Sequence, residues 1–163
     1  MVQEWIAELA DEIKQKNRAA AQDYGRAQHY AGIVAEAGKG FFVALVSYLQ
    51  EDVVALRSQL QGDLTAAETA VQTIQPGEVK IARARFPWVD AHLVHREDTL
   101  MLDYAKGPGA GGDPTFDRKT RSYVLRAAAD DSLYAEEAFS DSAKRYTKPE
   151  DLAREMMEIL FGV

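Results

Sequence analysis

His92 and His95, three residues apart and preceded by Asp90, are the densest grouping of acid–base and metal-ligating side chains in the chain. A carboxylate beside an imidazole can tune general-base chemistry, and an HxxH pair chelates a metal when both rings reach one point. The surrounding pattern decides how far either chemistry can go. Residues 91–96 alternate as a strand does, so the odd spacing sends His92 and His95 to opposite faces. Asp90 and His92 share a face, but no nucleophile completes a site around them, and a surface cross-strand pair is the expected arrangement. His29, far away in a helical stretch, reads as an exposed or interface residue.

The glycine-rich stretch Gly107-Pro108-Gly109-Ala110-Gly111-Gly112 satisfies GxGxxG formally. A dinucleotide fingerprint must open a helix whose first amides face the pyrophosphate, whereas here Asp113-Pro114-Thr115 leads toward another strand. A connection between strands is the expected role. Glu136, Glu137, Asp141, Asp130 and Asp131 are spread over a strand and a turn, without the spacing of a calcium loop. No catalytic residue, metal ligand or cofactor is assigned.

Cationic side chains offer one further possibility. Arg83 and Arg85 share a strand face, Arg126 is expected to continue it on a neighbouring strand, and Arg118, Lys119 and Arg121 flank the glycine-rich tract. Together they are a candidate contact for an anion, a single-stranded nucleic acid or a partner, with Phe86, Trp88 and Tyr123 as nearby aromatic groups, although Phe86 faces opposite to the arginines. Between Val79 and Arg126 nine basic residues stand against six acidic ones, a local +3 within a chain of net charge −7. That balance argues against general nucleic-acid binding, which needs concentrated Lys and Arg. It permits attraction between the basic segment and the acidic remainder.

The elements that must position these groups follow from periodicity. Phe42, Leu45, Leu49, Val53, Leu56, Leu60, Leu64, Ala67 and Val71 recur in steps of three and four, with an eleven-residue repeat close to the natural helix pitch. Residues 2–37 carry a thinner apolar face, rich in alanine, on the same ladder: Ala20, Ala31, Phe42, Val53. Gly38-Lys39-Gly40 between the two segments admits two outcomes. A break there gives an antiparallel hairpin, the favoured outcome on length; continuity of phase instead gives one long helix. Either way the stripe Phe42, Leu45, Leu49, Val53, Leu56, Leu60 and Leu64 exceeds what one short helix can cover, and it is expected to join copies of the chain, with a dimer favoured.

Beyond Pro76-Gly77 the period changes to two. Five antiparallel strands are expected, over residues 79–86, 91–96, 100–106, 121–128 and 133–139, followed by a short helix whose start is marked by Thr147-Lys148-Pro149-Glu150, read as a capping box. The expected fold is α+β: a long N-terminal helix or helical hairpin, a five-stranded antiparallel sheet, and a C-terminal helix packed on it. Residues 1–163 are expected to form one domain, with 1–75 helical and 76–163 holding the sheet and the last helix.

This order of helix, three strands, connector, two strands and helix is similar to that of small acidic dimeric secretion chaperones, which have a helix where this chain has its glycine-rich tract. The resemblance implies binding of a polypeptide. Composition implies a soluble protein: the longest apolar run, Phe41 to Val46, is too short to span a bilayer, and the absence of cysteine excludes thiolate chemistry and suits the cytoplasm. No basic stretch precedes an apolar one near Met1, so no secretory signal is expected. The expected function is that of a non-enzymatic interaction module that homo-oligomerises through its helices and meets a protein partner whose identity the residues do not give.

Overall fold

The computed structural model describes residues 4–60, 69–84, 88–107, 118–141 and 144–162. Leu64, Ala67, Arg85 and the tract from Pro108 to Asp117 lie outside the described residues, as does Val163 at the C-terminus.

The first helix, α1, runs without a break from Glu4 to Gln59, 56 residues and thus about 84 Å. Gly38-Lys39-Gly40 lies inside it, so the favoured hairpin does not form. Neither of these glycines has the positive φ of a helix stop; among the described glycines Gly77, with φ of 82°, is the one with positive φ. Gly38 serves close packing instead. A Cβ there would sit 3.3 Å from Leu125 Cδ1 and 3.6 Å from His95 Nε2, so its missing side chain lets the helix settle on the sheet. A Cβ at Gly40 would meet nothing within 4 Å.

Among the described residues seven strands follow: β1 (Thr69–Gln75), β2 (Glu78–Arg83), β3 (Trp88–Arg96), β4 (Thr99–Gly107), β5 (Lys119–Ala127), β6 (Leu133–Glu137) and β7 (Arg145–Tyr146). They form one antiparallel meander in sequence order. Two more strands are present than the five expected. β1 replaces the end of the expected helical element, which stops at Gln59 rather than residue 75. Thr69, Val71, Thr73 and Ile74 are β-branched, and in so short a run the apolar residues fit either period. Pairing then decides: Thr69 is opposite Arg83, whose Nη1 donates to Thr69 Oγ1 at 2.7 Å. β7, two residues long, is too short to carry a periodic signal.

The closing helix, α2, spans Pro149–Phe161. Its N-cap is Lys148, in extended conformation and without a side-chain cap, so the capping box does not form, while Pro149 opens the helix. Leu152, Ala153, Met156 and Leu160 are buried.

Both helices pack on the same face of the sheet. Phe41, Phe42, Leu45 and Leu49 of α1 and the buried face of α2 share one apolar cluster with Val79, Ile81, Leu93, Leu100, Leu102, Tyr123 and Leu125. The alternate strand residues, among them Lys80, Asp90, His92, Val94, Met101, Asp103, Val124 and Glu136, make up the open face. By length and composition alone, α1 contains an 18-residue window apolar enough to cross a membrane, with mean hydropathy 1.4, of which 39% is buried. Core helices meet the same criterion, and Phe41, Phe42, Leu45 and Leu49 are taken up by this core, whereas Val43 is exposed.

Candidate interaction surfaces

The histidine pair divides as strand geometry requires. His92 is on the open face, where its Nδ1 lies 3.7 Å from Glu78 Oε1. Its cross-strand neighbours are Lys80 and Asp103. His95 is on the helix side, stacked on Phe42 with centroids 5.4 Å apart, and its Nε2 lies 3.0 Å from the Glu97 carbonyl. Asp90 is not held for acid–base work with His92. Arg118 Nη1 donates to Asp90 Oδ2 at 2.9 Å and Arg118 Nε to Asp103 Oδ1 at 3.2 Å, with Lys80 4.0 Å from Asp90. Those bonds hold the Arg118 guanidinium above its ordinary pKa. Among the described residues, no three His, Asp or Glu side chains converge as metal ligands do.

The cationic candidates are scattered and engaged. Arg83 is buried on the helix-covered face. Arg126 is on the open face, paired with Glu136 at 3.0 Å, so it does not extend the face of Arg83. Arg121 donates to Glu137 Oε1 at 2.7 Å, and Lys119 is exposed at the start of β5. Arg83, Arg118, Arg121 and Arg126 therefore each engage an oxygen partner on another segment, and no shared anion cradle is formed by the described residues.

The helical stripe divides into two parts with opposite fates. Phe42, Leu45, Leu49 and Val53 are buried within the chain's own core, and Leu56 and Leu60 are half-buried near its edge. Phe42, Leu45, Leu49 and Val53 are therefore not available to a second copy, and more exposed large apolar residues lie in the first half of the same helix. From Glu4 to Gln28 α1 overhangs the sheet, and every residue except Ala10 is exposed. Contact with the body starts at His29, whose Nε2 is 3.0 Å from Asp131 Oδ1 in the β5–β6 turn, and at Val34, which packs on the core.

On that overhang Trp5, Ile6, Leu9, Ile13 and Tyr24 are 46–65% exposed. They are not scattered. Leu9 stands three eleven-residue steps before Phe42, so the exposed stripe is the N-terminal continuation of the face that is core further on. A helix of this kind draws most of its stability from covering an apolar face, and here half of that face is left uncovered by the described residues. The thin alanine face of residues 2–37 was the sequence signal for this surface, obscured by the stronger stripe downstream.

Beneath α1, at the turn end of the β1–β2 hairpin, a cleft of about 960 Å³ is lined by Phe42, Val43, Val46, Val79 and Pro76, with Lys39, His95 and Glu97 at its margins. Its polar groups are of mixed sign. Slightly further along α1, the Asp52 carboxyl, beside Tyr48, Leu56 and the start of α2, is held above its ordinary pKa by partial burial and by neighbouring Glu51. No family model matches the chain, and neither a curated protein nor a solved structure matches it.

Proposed function

We propose that this protein is a non-enzymatic, cytoplasmic interaction module that associates with itself through the overhanging half of α1 and offers its open sheet face to a partner protein. The observation that carries the reading is the exposed stripe Trp5, Ile6, Leu9, Ile13 and Tyr24, in phase with the core stripe of the same helix. Burying those side chains removes apolar area from water at about 25 cal/mol per Å², the main driving force of most protein association. The engaged histidines and arginines support a binding role over a catalytic one.

Multi-angle light scattering on the full chain across a concentration series tests this reading. A dimer that dissociates in the Leu9→Glu/Ile13→Glu variant, with the sheet still folded by circular dichroism, is the expected result. A wild-type monomer at every concentration overturns it.

A second reading, capture of an extended polypeptide, draws on β1. Among the described residues β1 pairs with β2 alone, and its sequence Thr-Ala-Val-Gln-Thr-Ile-Gln carries no charge or proline of the sort that usually protects an edge strand. Ile74 is 51% exposed. Strand addition there would protect the β1 amides from hydrogen exchange in the presence of a bound peptide.

A further inference from the structure

The overhang is asymmetric along its length, both in the size of its apolar residues and in the sign of its charge. Its first part, residues 4–13, holds the bulky members Trp5, Ile6, Leu9 and Ile13, together with four acidic residues, Glu4, Glu8, Asp11 and Glu12, and no basic one. The second part, residues 14–28, continues the stripe with Ala20, Tyr24 and Ala27 and carries Lys14, Lys16, Arg18 and Arg26 against Asp23. A parallel pair would set Ile6 on Ile6 and Leu9 on Leu9, leave the alanines facing one another across a gap, and bring the four acids of each copy together. Antiparallel pairing matches the isoleucines with alanines and acidic segments with basic ones.

Resting on the self-association reading above, we propose that two copies pair their α1 overhangs antiparallel, crossing between Lys16 and Asn17. This register sets Ile6 opposite Ala27, Leu9 opposite Tyr24 and Ile13 opposite Ala20. It leaves two polar residues at the crossing, where a polar group within an apolar seam fixes register. Lys16 already has its charge balanced by Glu12 of its own helix, 3.2 Å away. In this register the crossing lies midway between Glu4 and His29, the residue at which α1 meets the sheet.

A lipid surface is the other class of occupant for such a stripe. Helices that lie on membranes are rich in Lys and Arg on the polar face, whereas this overhang opens with four acids.

The chain has no cysteine, so single cysteines report neighbours without background. The Ile6→Cys and Ala27→Cys variants of the full chain are oxidised mildly, separately and as an equimolar mixture. In the antiparallel register, Ile6 of one copy is about 31 Å along the axis from Ile6 of the other, so the expected result is a disulfide dimer formed tenfold or more faster in the mixture than in either variant alone. Rapid self-crosslinking of Ile6→Cys overturns the antiparallel register while leaving self-association intact. Failure of every combination together with a monomer by light scattering overturns both. Flotation of the protein with phosphatidylcholine–phosphatidylglycerol vesicles, with no crosslink, assigns the stripe to a lipid surface and overturns the pairing.

Discussion

Replacing Gly40 with alanine tests directly whether α1 is continuous. In the interior of a helix glycine costs about 1 kcal/mol relative to alanine, because it loses more backbone freedom on folding. At Gly40 the new methyl meets no atom within 4 Å, so that gain is not offset by a clash. Gly40 also lies beside Phe41 and Phe42, both buried in the core, so the gain is coupled to cooperative unfolding. Gly40→Ala is therefore expected to stabilise by up to about 1 kcal/mol, which for a protein of this size raises Tm by roughly 2–4 °C. At Gly38 the same methyl would be 3.3 Å from Leu125 Cδ1, and the helical gain is largely cancelled. A larger Gly38→Leu change is expected to overpack the helix–sheet contact, at a cost of about 1–3 kcal/mol. Urea unfolding followed by far-ultraviolet circular dichroism reads all three. If α1 instead ended in a turn at this point, a glycine there would hold a left-handed conformation and alanine would destabilise. A loss of stability in Gly40→Ala would refute the continuous helix.

Three other perturbations probe the packing and its electrostatics. Leu49→Ala, at a fully buried position between helix and sheet, is expected to lower stability by about 2–5 kcal/mol in the same assay, whereas an exposed-stripe change such as Ile13→Ala should leave the monomer's unfolding nearly unchanged. Asp52 has a folded-state pKa raised above 3.8, so its favourable contribution is present below that value and is lost as pH rises through the folded pKa. Asp52→Asn is therefore expected to raise Tm near neutral pH and to lose that advantage below about pH 4. The hydroxyls of Tyr123 and Tyr146 are buried without a hydrogen-bond partner among the described residues. Burial pushes the Tyr146 phenol from 10.0 up to about 12 and the Tyr123 phenol higher still. Raised phenol pKa values favour the protonated fold, so stability is expected to fall as pH rises from 10 through 12, and the Tyr123→Phe/Tyr146→Phe variant to resist that loss in pH-dependent thermal melts. Because no hydrogen bond is forfeited, the same variant should differ from wild type by no more than about 1 kcal/mol at neutral pH.

What could be read in the sequence was whatever local periodicity determines. The phase of Ala20, Ala31, Phe42 and Val53 specified one helix face, and the alternation from Val79 through Phe139 specified an antiparallel sheet. The odd spacing of His92 and His95 placed them on opposite faces. What it could not provide were decisions made by distant contacts. Gly38 looks like a helix stop in isolation, and only the approach of Leu125 and His95 gives its missing side chain another use. Thr69–Gln75 fits a helix as well as a strand until it finds β2. Arg83, Arg118, Arg121 and Arg126 form a cationic cluster only along the chain; in the fold each sits beside its own oxygen partner from another position.

The division of α1 has a consequence for how the open face would be used. The buried half is committed to the core, so an association through the overhang leaves the face carrying His92, Val94, Met101 and Val124 uncovered in each copy. In the antiparallel register proposed above, Tyr30 of one copy and Tyr30 of the other are separated by about 27 residues of helix, or roughly 40 Å along the axis. Two open faces held at a fixed separation on a stiff helical pair bind a partner with two matching sites far more tightly than either alone, and gain nothing when the partner's spacing does not fit. Partner affinity should then depend on the intact overhang even though no overhang residue touches the partner. Leu9→Glu/Ile13→Glu would weaken capture of a divalent partner while leaving the affinity of a single isolated site unchanged, and an equal loss at both would place the contact on the overhang itself.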